Sequence, residues 1–591
     1  MLRINQLKMP LEYTEDDVKR AAAKVMKINP ADIEEVSLFR RSIDSRRKDD
    51  VHFVLTVDCR VHADERKVLK RTDSKRVRES EFYEYVPVEL KRKSQFRPVI
   101  VGFGPAGMWC ALTLARAGLR PIVLERGHDV EQRTKDVYGF WDSRHLNTES
   151  NIQFGEGGAG TFSDGKLTTG IKDPRTRKIF TDFVAFGAPE SILWSNYPHI
   201  GTDRLVGVVK NIREEVIRLG GDVRFGSRMT RLIIANHYIH GLSYETEDGV
   251  SHDLETDTVV LALGHSSRDT IETLYGQGLT MIQKPFSVGA RIEHPREFID
   301  RAQYGDFAGN PALGAANYKM ACHPPHSRGA YTFCMCPGGQ VVNASSEEGR
   351  ICVNGMSEFA RDRENSNSAV LVGINPESFP SEHPLSGIQL QRDMESAAFN
   401  VGGGDYTAPA QLVGDFLNDT ASTHMGAVHP SCPTGVTPSD IRKVLPKHVT
   451  DVMADALVQM DRKLHGFAMP EAVLTVPEAR SSSPVRIVRG DFKECYLGED
   501  VLGGCYPCGE GAGYAGGTVS AGVDGIRVAE AIMTDEHDYR IAHRKNFGRE
   551  SICGITTQFS ISSTRSAPAA LWTHPGTVHP ASFAFGTGCL T

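Results

Sequence analysis

Three glycine-rich segments carry most of the chemistry in this chain. Gly102-Phe-Gly104-Pro105-Ala106-Gly107 follows the apolar run 99–101 and precedes a helix-like stretch, 108–117. In a strand–turn–helix unit the first glycine permits the tight turn and the second lets backbone close on a diphosphate. The third lets helix and strand pack together. The helix that opens at Pro105 and Ala106 turns its free N–H groups and partial positive charge toward that diphosphate. A second apolar run, 121–124, ends in Glu125-Arg126. An acid roughly twenty residues past the glycine turn is placed to accept hydrogen bonds from adenosine ribose hydroxyls. Glu125 and Arg126 therefore join the candidate cofactor-binding set.

The remote segments choose between a nicotinamide and a flavin cofactor. Residues 506–517, Tyr-Pro-Cys-Gly-Glu-Gly-Ala-Gly-Tyr-Ala-Gly-Gly, precede an apolar helix. FAD is long and needs a second element, distant in sequence, to hold its ribityl phosphate and ring. Gly509, Glu510, Gly517 and Thr518 are the residues expected to do so, with the helix N-terminus aimed at the flavin N1–C2=O edge. Between the two lies 155–166, in which Gly157, Gly158 and Gly160 allow close passage along the cofactor. Lys166 is a candidate contact to flavin or phosphate. Leu261-Ala-Leu-Gly264-His265 reads as a strand end of small residues closing the sheet.

The flavin performs the redox step, so the protein needs groups that place a substrate and move protons. His265, His323 and Tyr331 are candidate proton donors. Arg480 and Arg486, with Arg489 nearby, flank Ser481-Ser482-Ser483-Pro484, and one of them is a candidate clamp for a substrate carboxylate. Cys505 and Cys508 form a C-x-x-C that suits a redox dithiol, but Cys508 sits inside the turn that binds cofactor. Cys334 and Cys336 alternate on a strand, so they point the same way, with Met335 opposite. With Cys322 and His323 they make a loose metal set, against which buried apolar thiols are the preferred reading. No metal is expected.

The elements that must hold these groups read as follows. At 591 residues the chain exceeds one core. The expected fold class is α/β: a Rossmann-like FAD-binding domain with an inserted α+β substrate domain and a small N-terminal α/β domain. The expected division is 1–95 for the N-terminal domain and its basic linker, 96–275 and 485–540 for the FAD domain, and 276–484 for the insert. Residues 541–591 read as a disordered or non-native tail, since Arg565 is their only Asp, Glu, Lys or Arg from Ser551 onward. The basic stretch 66–97, with Tyr83 and Tyr85, reads first as a solvated linker or hairpin and second as a surface for RNA or an acidic partner. A net charge of −7 disfavours nucleic acid as a general partner. No apolar run reaches the ~18 residues of a membrane span, and twelve scattered cysteines fit a reduced, cytoplasmic protein.

These segments also carry a family resemblance. VGFGPAGMWCAL from Val101, GEGGAGTFSDGKL from Gly155, LALGHSSRDT from Leu261, YTFCMCPGG from Tyr331, ARSSSPVRI from Ala479 and YPCGEGAGYAGG from Tyr506 resemble the bacterial family of uncharacterised FAD-dependent dehydrogenases. That family is similar in turn to the glutathione-reductase-2 flavoprotein class. The resemblance spans roughly residues 1–535 and implies FAD and an inserted substrate domain, but no particular substrate. The sequence thus reads as an FAD-dependent oxidoreductase acting on an unidentified small molecule, with an electron-transfer partner as a further option. No second strand-associated G-x-G-x-x-G is present, so NAD(P)H, if it is the donor, docks transiently near the insert. A flavin-dependent RNA-modifying enzyme and a non-catalytic FAD-binding redox sensor are the alternatives.

Overall fold

The runs Val99–Val101, Ile122–Leu124 and Val259–Leu261 are short, largely β-branched and wholly apolar, the pattern of strands covered on both faces. The computed structural model describes residues 1–81, 84–324 and 329–534. In it these runs lie at the centre of a five-stranded sheet. Its order is Cys505–Pro507, Val259–Leu261, Val99–Val101, Ile122–Leu124, Asp222–Arg224. Every neighbouring pair is parallel. Alternation sends Ile100, Val123, Val260 and Tyr506 into one core and Val99, Val101, Ile122, Leu124, Val259, Leu261 and Cys505 into another.

Helices cover the first face. Helix Pro105–Arg116 follows the glycine turn, and the terminal helix Thr518–Thr534 lies against it. The two approach so closely that a Cβ on Gly525 would sit 2.2 Å from the Ala106 carbonyl oxygen. On the other side a three-stranded antiparallel meander, Ser227–Ala235, Tyr238–Thr246 and Ser251–Glu255, leads back to the sheet. The sequence places four strand-like runs here, of which 223–225 belongs to the parallel sheet and 258–263 becomes its strand Val259–Leu261.

After helix Arg268–Gly276 the chain leaves the parallel sheet through Met281–Gln283 and returns through Val485–Ile487, and these two short strands pair antiparallel. Between exit and return it builds a seven-stranded sheet. The order is Ala321–Cys322, Ala330–Cys336, Asn365–Ile374, Phe286–Pro295, Val473–Glu478, Ala408–Leu412, Val436–Pro438. The central pair runs unbroken from Phe286 opposite Ile374 to Pro295 opposite Asn365. This sheet and helices Ser386–Gly402 and Lys447–Asp461 enclose the largest apolar cluster among the described residues.

The N-terminal residues form a four-stranded antiparallel sheet backed by helix Glu15–Met26. Thr14 and Asp17 start that helix as a capping box, each side chain satisfying the other's backbone N–H. The basic stretch that follows is neither a free linker nor a hairpin. It straps the parallel sheet: Lys91 and Arg92 donate backbone N–H groups to the Met533 carbonyl, and buried Arg92 pairs with Asp257 and Thr258. Tyr85 reaches Glu530 at 3.0 Å. Tyr83 and the tail 541–591 lie outside the described residues. Among the described residues no helix is long and apolar enough to cross a membrane.

Candidate functional site

A cleft opens at the carboxyl ends of the parallel strands, where open α/β sheets bind their ligands. Its walls are backbone wherever the sequence is rich in glycine. A Cβ on Gly102, whose φ is +100°, would stand 2.3 Å from the Ala262 carbonyl oxygen, so a side chain there would break the turn. Gly104 faces Gly158 across the cleft, and a Cβ on Gly158 would lie 2.9 Å from the Gly104 Cα. A Cβ on Gly160 would meet the Thr518 hydroxyl at 3.3 Å, bringing the third glycine segment to the other two. The three segments, distant in sequence, converge on one channel.

Most of the expected cofactor residues line this channel: Gly102, Gly104, Pro105, Ala106, Glu125, Arg126, Gly158, Gly160, Gly264, Glu510, Gly517 and Thr518. Four stand behind it. Gly107 packs on the turn, where a Cβ would touch the Gly102 carbonyl oxygen at 1.9 Å. Gly157, with φ +83°, packs on Thr161 and Val209, and Gly509 packs on Ala106. Lys166 approaches Asp164 and Cys336 instead.

Glu125 is buried, and its carboxylate gathers the channel. One oxygen accepts the Phe103 N–H at 2.7 Å, the other the N–H groups of Gly127 and Gly155 at 3.0 and 2.9 Å. One side chain thus ties the first turn to the second glycine segment. Arg126 is paired with Glu149 and Asp269 and lies over the Phe154 ring, 4.1 Å from its centre. The second glycine segment is held from behind by fully buried Arg133, which donates to the carbonyls of Asn151, Ile152 and Glu156. Burial lowers that guanidinium to about 10.

A protein of Clostridium beijerinckii recorded as uncharacterised is 44% identical over 536 residues, covering 90% of this chain and 98% of its own length. The chain belongs to that protein's family. Within the family fold, residues 285–481 match the family described as FAD-dependent protein, C-terminal domain-like, and residues 1–60 match a domain of unknown function. The cofactor is FAD. More distant solved structures include the flavin-dependent brominase Bmp2 (TM-score 0.32, 11% identity, 77% of this chain and 84% of that one). A flavoprotein/dehydrogenase of Cytophaga hutchinsonii scores 0.32 at 11% identity, over 77% of this chain and 85% of that one. Likeness at this level bears on neither substrate nor reaction.

The channel fits the family cofactor on two counts. Its walls admit close approach because a Cβ at Gly102, Gly104 or Gly160 has no room or would narrow it. It also presents an unsatisfied polar atom, the buried Nε2 of His265, which has no hydrogen-bond partner among the described residues. Such an atom is costly to bury unless something bound meets it. The other ring nitrogen of His265 faces Glu510 at 3.4 Å.

The remaining candidates separate. Arg480 lines the channel, yet its guanidinium is taken by Glu395, at 2.7 and 2.8 Å, and by Ser346 and Ser266. It is a wall of the site, and its donors are not free for a substrate carboxylate. Arg486 lines a neighbouring groove with Lys284 and Tyr514, and Arg489 pairs with Asp524. Tyr331 donates to Ser287 at 2.8 Å, and exposed His323 lies on the loop after Ala321–Cys322; neither lines the channel. Cys505 and Cys508 fall in different cores on opposite faces of the sheet, so the C-x-x-C is not a dithiol. Burial beside Cys495 pushes the Cys505 thiol up.

The far end of the channel was not foreseen from the sequence, which offered Cys334 only within a loose metal set and Ser481 only as a neighbour of Arg480. The end of the channel nearest the seven-stranded sheet is formed by Phe333, Cys334, Asn354, Glu478 and Ser481. Glu478 is buried and chelated by Arg291, whose second donor to it lies at 3.2 Å. Burial pushes its carboxyl up to about 7, against the pull of Arg291. Its signal was a lone acid ending the apolar run 473–478. Cys334 also departs from the regular alternation expected of it: φ is +46°, and the pairing with Asn365–Ile374 slips between Phe333 and Cys336. Among the described residues no three His, Cys, Asp or Glu side chains gather as a metal set.

Proposed function

We propose that this flavoenzyme is an oxidoreductase that transfers hydride between FAD and a small substrate held at the end of the channel nearest the seven-stranded sheet. In this reading 96–275 and 485–540 hold the cofactor and 276–484 supplies the substrate pocket. The observation that carries it is the composition of the channel: backbone along most of its length, ionisable side chains at one end. FAD, when bound, supplies two-electron chemistry that needs no strong protein acid or base. The protein then supplies proton management and exclusion of water.

Glu478 suits the first task. A carboxyl held near neutrality exchanges a proton at physiological pH, and Arg291 fixes its oxygens in place. Asn354, held by Arg291 at 2.9 Å, offers an amide for orienting a substrate carbonyl. His265 offers its unpartnered Nε2. The network of Arg480, Arg268, Glu395 and Glu347 forms a rigid wall behind them. No second nucleotide-binding turn is found among the described residues, in keeping with a nicotinamide donor that visits and leaves; the groove lined by Lys284 and Arg486 has the charge for its phosphates. A small substrate acted on in a reduced cytoplasm completes the proposal.

The test is anaerobic titration of the yellow protein with NADH and then NADPH. Flavin absorbance that bleaches within seconds supports the reading. A protein that stays oxidised with both, and with a panel of small alcohols and thiols, would turn it toward a sensor.

A further inference from the structure

We propose that Cys334 and Cys336 form a redox-active dithiol at the substrate end of the channel, and that the substrate class is a small disulfide. The inference deepens the oxidoreductase reading, because the return of the pair to the dithiol state rests on electrons delivered through that enzyme's cofactor. It concerns a C-x-C on a strand, where geometry ordinarily works against such a pair. Residues i and i+2 of a regular strand share a face but stand about 6.6 Å apart. Here the strand is broken at the first cysteine. Cys334 adopts φ +46°, a conformation that favours glycine and asparagine, and the register with Asn365–Ile374 slips at this point. The bulge turns the second cysteine back on the first: the Cys336 thiol donates to the Cys334 carbonyl oxygen at 3.3 Å.

The surroundings are those of a reactive thiol. Cys334 is half-buried and lines the channel, while Cys336 is buried behind it. Lys166 stands 3.8 Å from the Cys336 sulfur. Arg291 donates to the Cys334 carbonyl at 2.8 Å. Opposing them are Asp164, 3.4 Å from the Lys166 ammonium, and Glu478, chelated by Arg291. The neighbouring Cys336 thiol, with Lys166 and Arg291, holds Cys334 well below the usual thiol range, and Cys336 is correspondingly raised. The contrast with other buried thiols is direct: Cys59 and Cys352 are pushed up to about 12 by burial, as expected of inert core cysteines.

The chemistry balances without any outside oxidant. The Cys334 thiolate attacks one sulfur of the substrate disulfide; a Cys334–substrate S–S bond forms, the substrate S–S bond breaks, and one substrate thiolate leaves and takes a proton from water. Cys336 then gives up its proton to water and attacks the Cys334 sulfur, expelling the second substrate thiolate with Lys166 beside the developing charge. The substrate disulfide is reduced to two thiols and the protein dithiol is oxidised to a disulfide.

Hydroxyethyl disulfide is a probe small enough for the channel, and intact mass with peptide mapping reads the result on full-length, FAD-loaded protein. Wild type should lose two hydrogen masses, with the new bond between Cys334 and Cys336. Cys336→Ser should stall carrying one mercaptoethanol adduct on Cys334, and Cys334→Ser should leave the strand unmodified. Lys166→Met should slow formation of the bond roughly tenfold. A Cys334 that reacts no faster than the unfolded protein's thiols, or a Cys336→Ser variant that traps no adduct, overturns the proposal. The flavin spectrum of the same samples separates the two readings. Bleaching by NADPH with unreactive thiols removes the dithiol alone, whereas a disulfide that forms beside a flavin no donor reduces removes the oxidoreductase reading and keeps the dithiol.

Discussion

The two sheets that border the channel contribute to it with different parts of the chain. The parallel-sheet side works with backbone: glycines that leave no side chain, amide groups gathered on Glu125, and carbonyls held by Arg133. The seven-stranded side works with buried ionic side chains, Arg291 with Glu478 and Arg480 with Glu395, the last also met by Arg268 from the helix before the insert. A backbone site is tuned by what is missing and tolerates few substitutions at its glycines. A side-chain site is tuned by pairing, and each member is costly to bury alone. The difference predicts that the two sides fail in different ways, one by losing ligand and the other by losing stability.

The largest effect is expected on the ionic side. The Glu395 carboxylate is fully buried and faces two arginines, which hold it far below the usual carboxylate range despite its burial. Glu395→Gln leaves Arg268 and Arg480 with an uncompensated charge, and removing one partner of a buried pair costs about 3–5 kcal/mol. Chemical denaturation should show that loss. A midpoint that barely moves would mean that water or Glu347, which contacts both arginines, carries the charge instead.

On the backbone side the expected loss is smaller and falls on the cofactor. Gly102→Ala places a methyl group against the Ala262 carbonyl and forces alanine to φ +100°. Strain of this kind costs about 1–3 kcal/mol, which as FAD affinity is roughly a 5- to 150-fold weakening. Ultrafiltration of the holoprotein measures it, with circular dichroism as the control that the sheet remains. Unchanged retention of FAD would show that the turn relaxes around the methyl group and that the cradle is softer than its contacts imply.

The same difference explains what the sequence made readable. Gly102, Gly104 and Gly107 could be assigned because a backbone site writes itself in local spacing: strand, turn, helix and acid all fall within one short stretch. Even there the ribose-binding expectation for Glu125 did not foresee that its carboxylate collects three backbone amides from two glycine segments. Glu478 and Cys334 were passed over as site residues for the opposite reason. Their environment comes from Arg291 and Lys166, 187 and 168 positions away respectively, and no periodicity in strand 473–478 or 330–336 announces a partner at such range. Arg480 was noticed, but its pairing with Glu395, 85 residues upstream, could not be, and that pairing turns a candidate substrate clamp into a wall. The C-x-x-C at Cys505 misled because spacing alone does not say that the strand ends between the two cysteines and sends them to opposite faces.

One residue crosses the comparison and gives the smallest expected effect. Glu156 lies in the second glycine segment, yet it is a buried charge of the kind found on the other side. One oxygen accepts the Val130 N–H at 2.8 Å and an Arg213 donor at 3.0 Å, while the other has no partner among the described residues. Burial raises its carboxyl from 4.5 to about 7. A carboxyl raised by folding contributes stability that is complete below about 4.5 and is lost as pH climbs through 7, because the folded state resists ionisation that the unfolded state accepts. Wild type should therefore lose more stability between pH 5 and pH 8 than Glu156→Gln, whose amide keeps the N–H contact and cannot ionise. The difference should be no more than about 2 kcal/mol, since the variant also forfeits the attraction of Arg213. Thermal unfolding of both proteins at the two pH values decides the matter. If the two lose stability in parallel, Glu156 is ionised throughout with Arg213 as its full counter-charge, and the backbone side of the channel contains an ion pair as tight as those across from it.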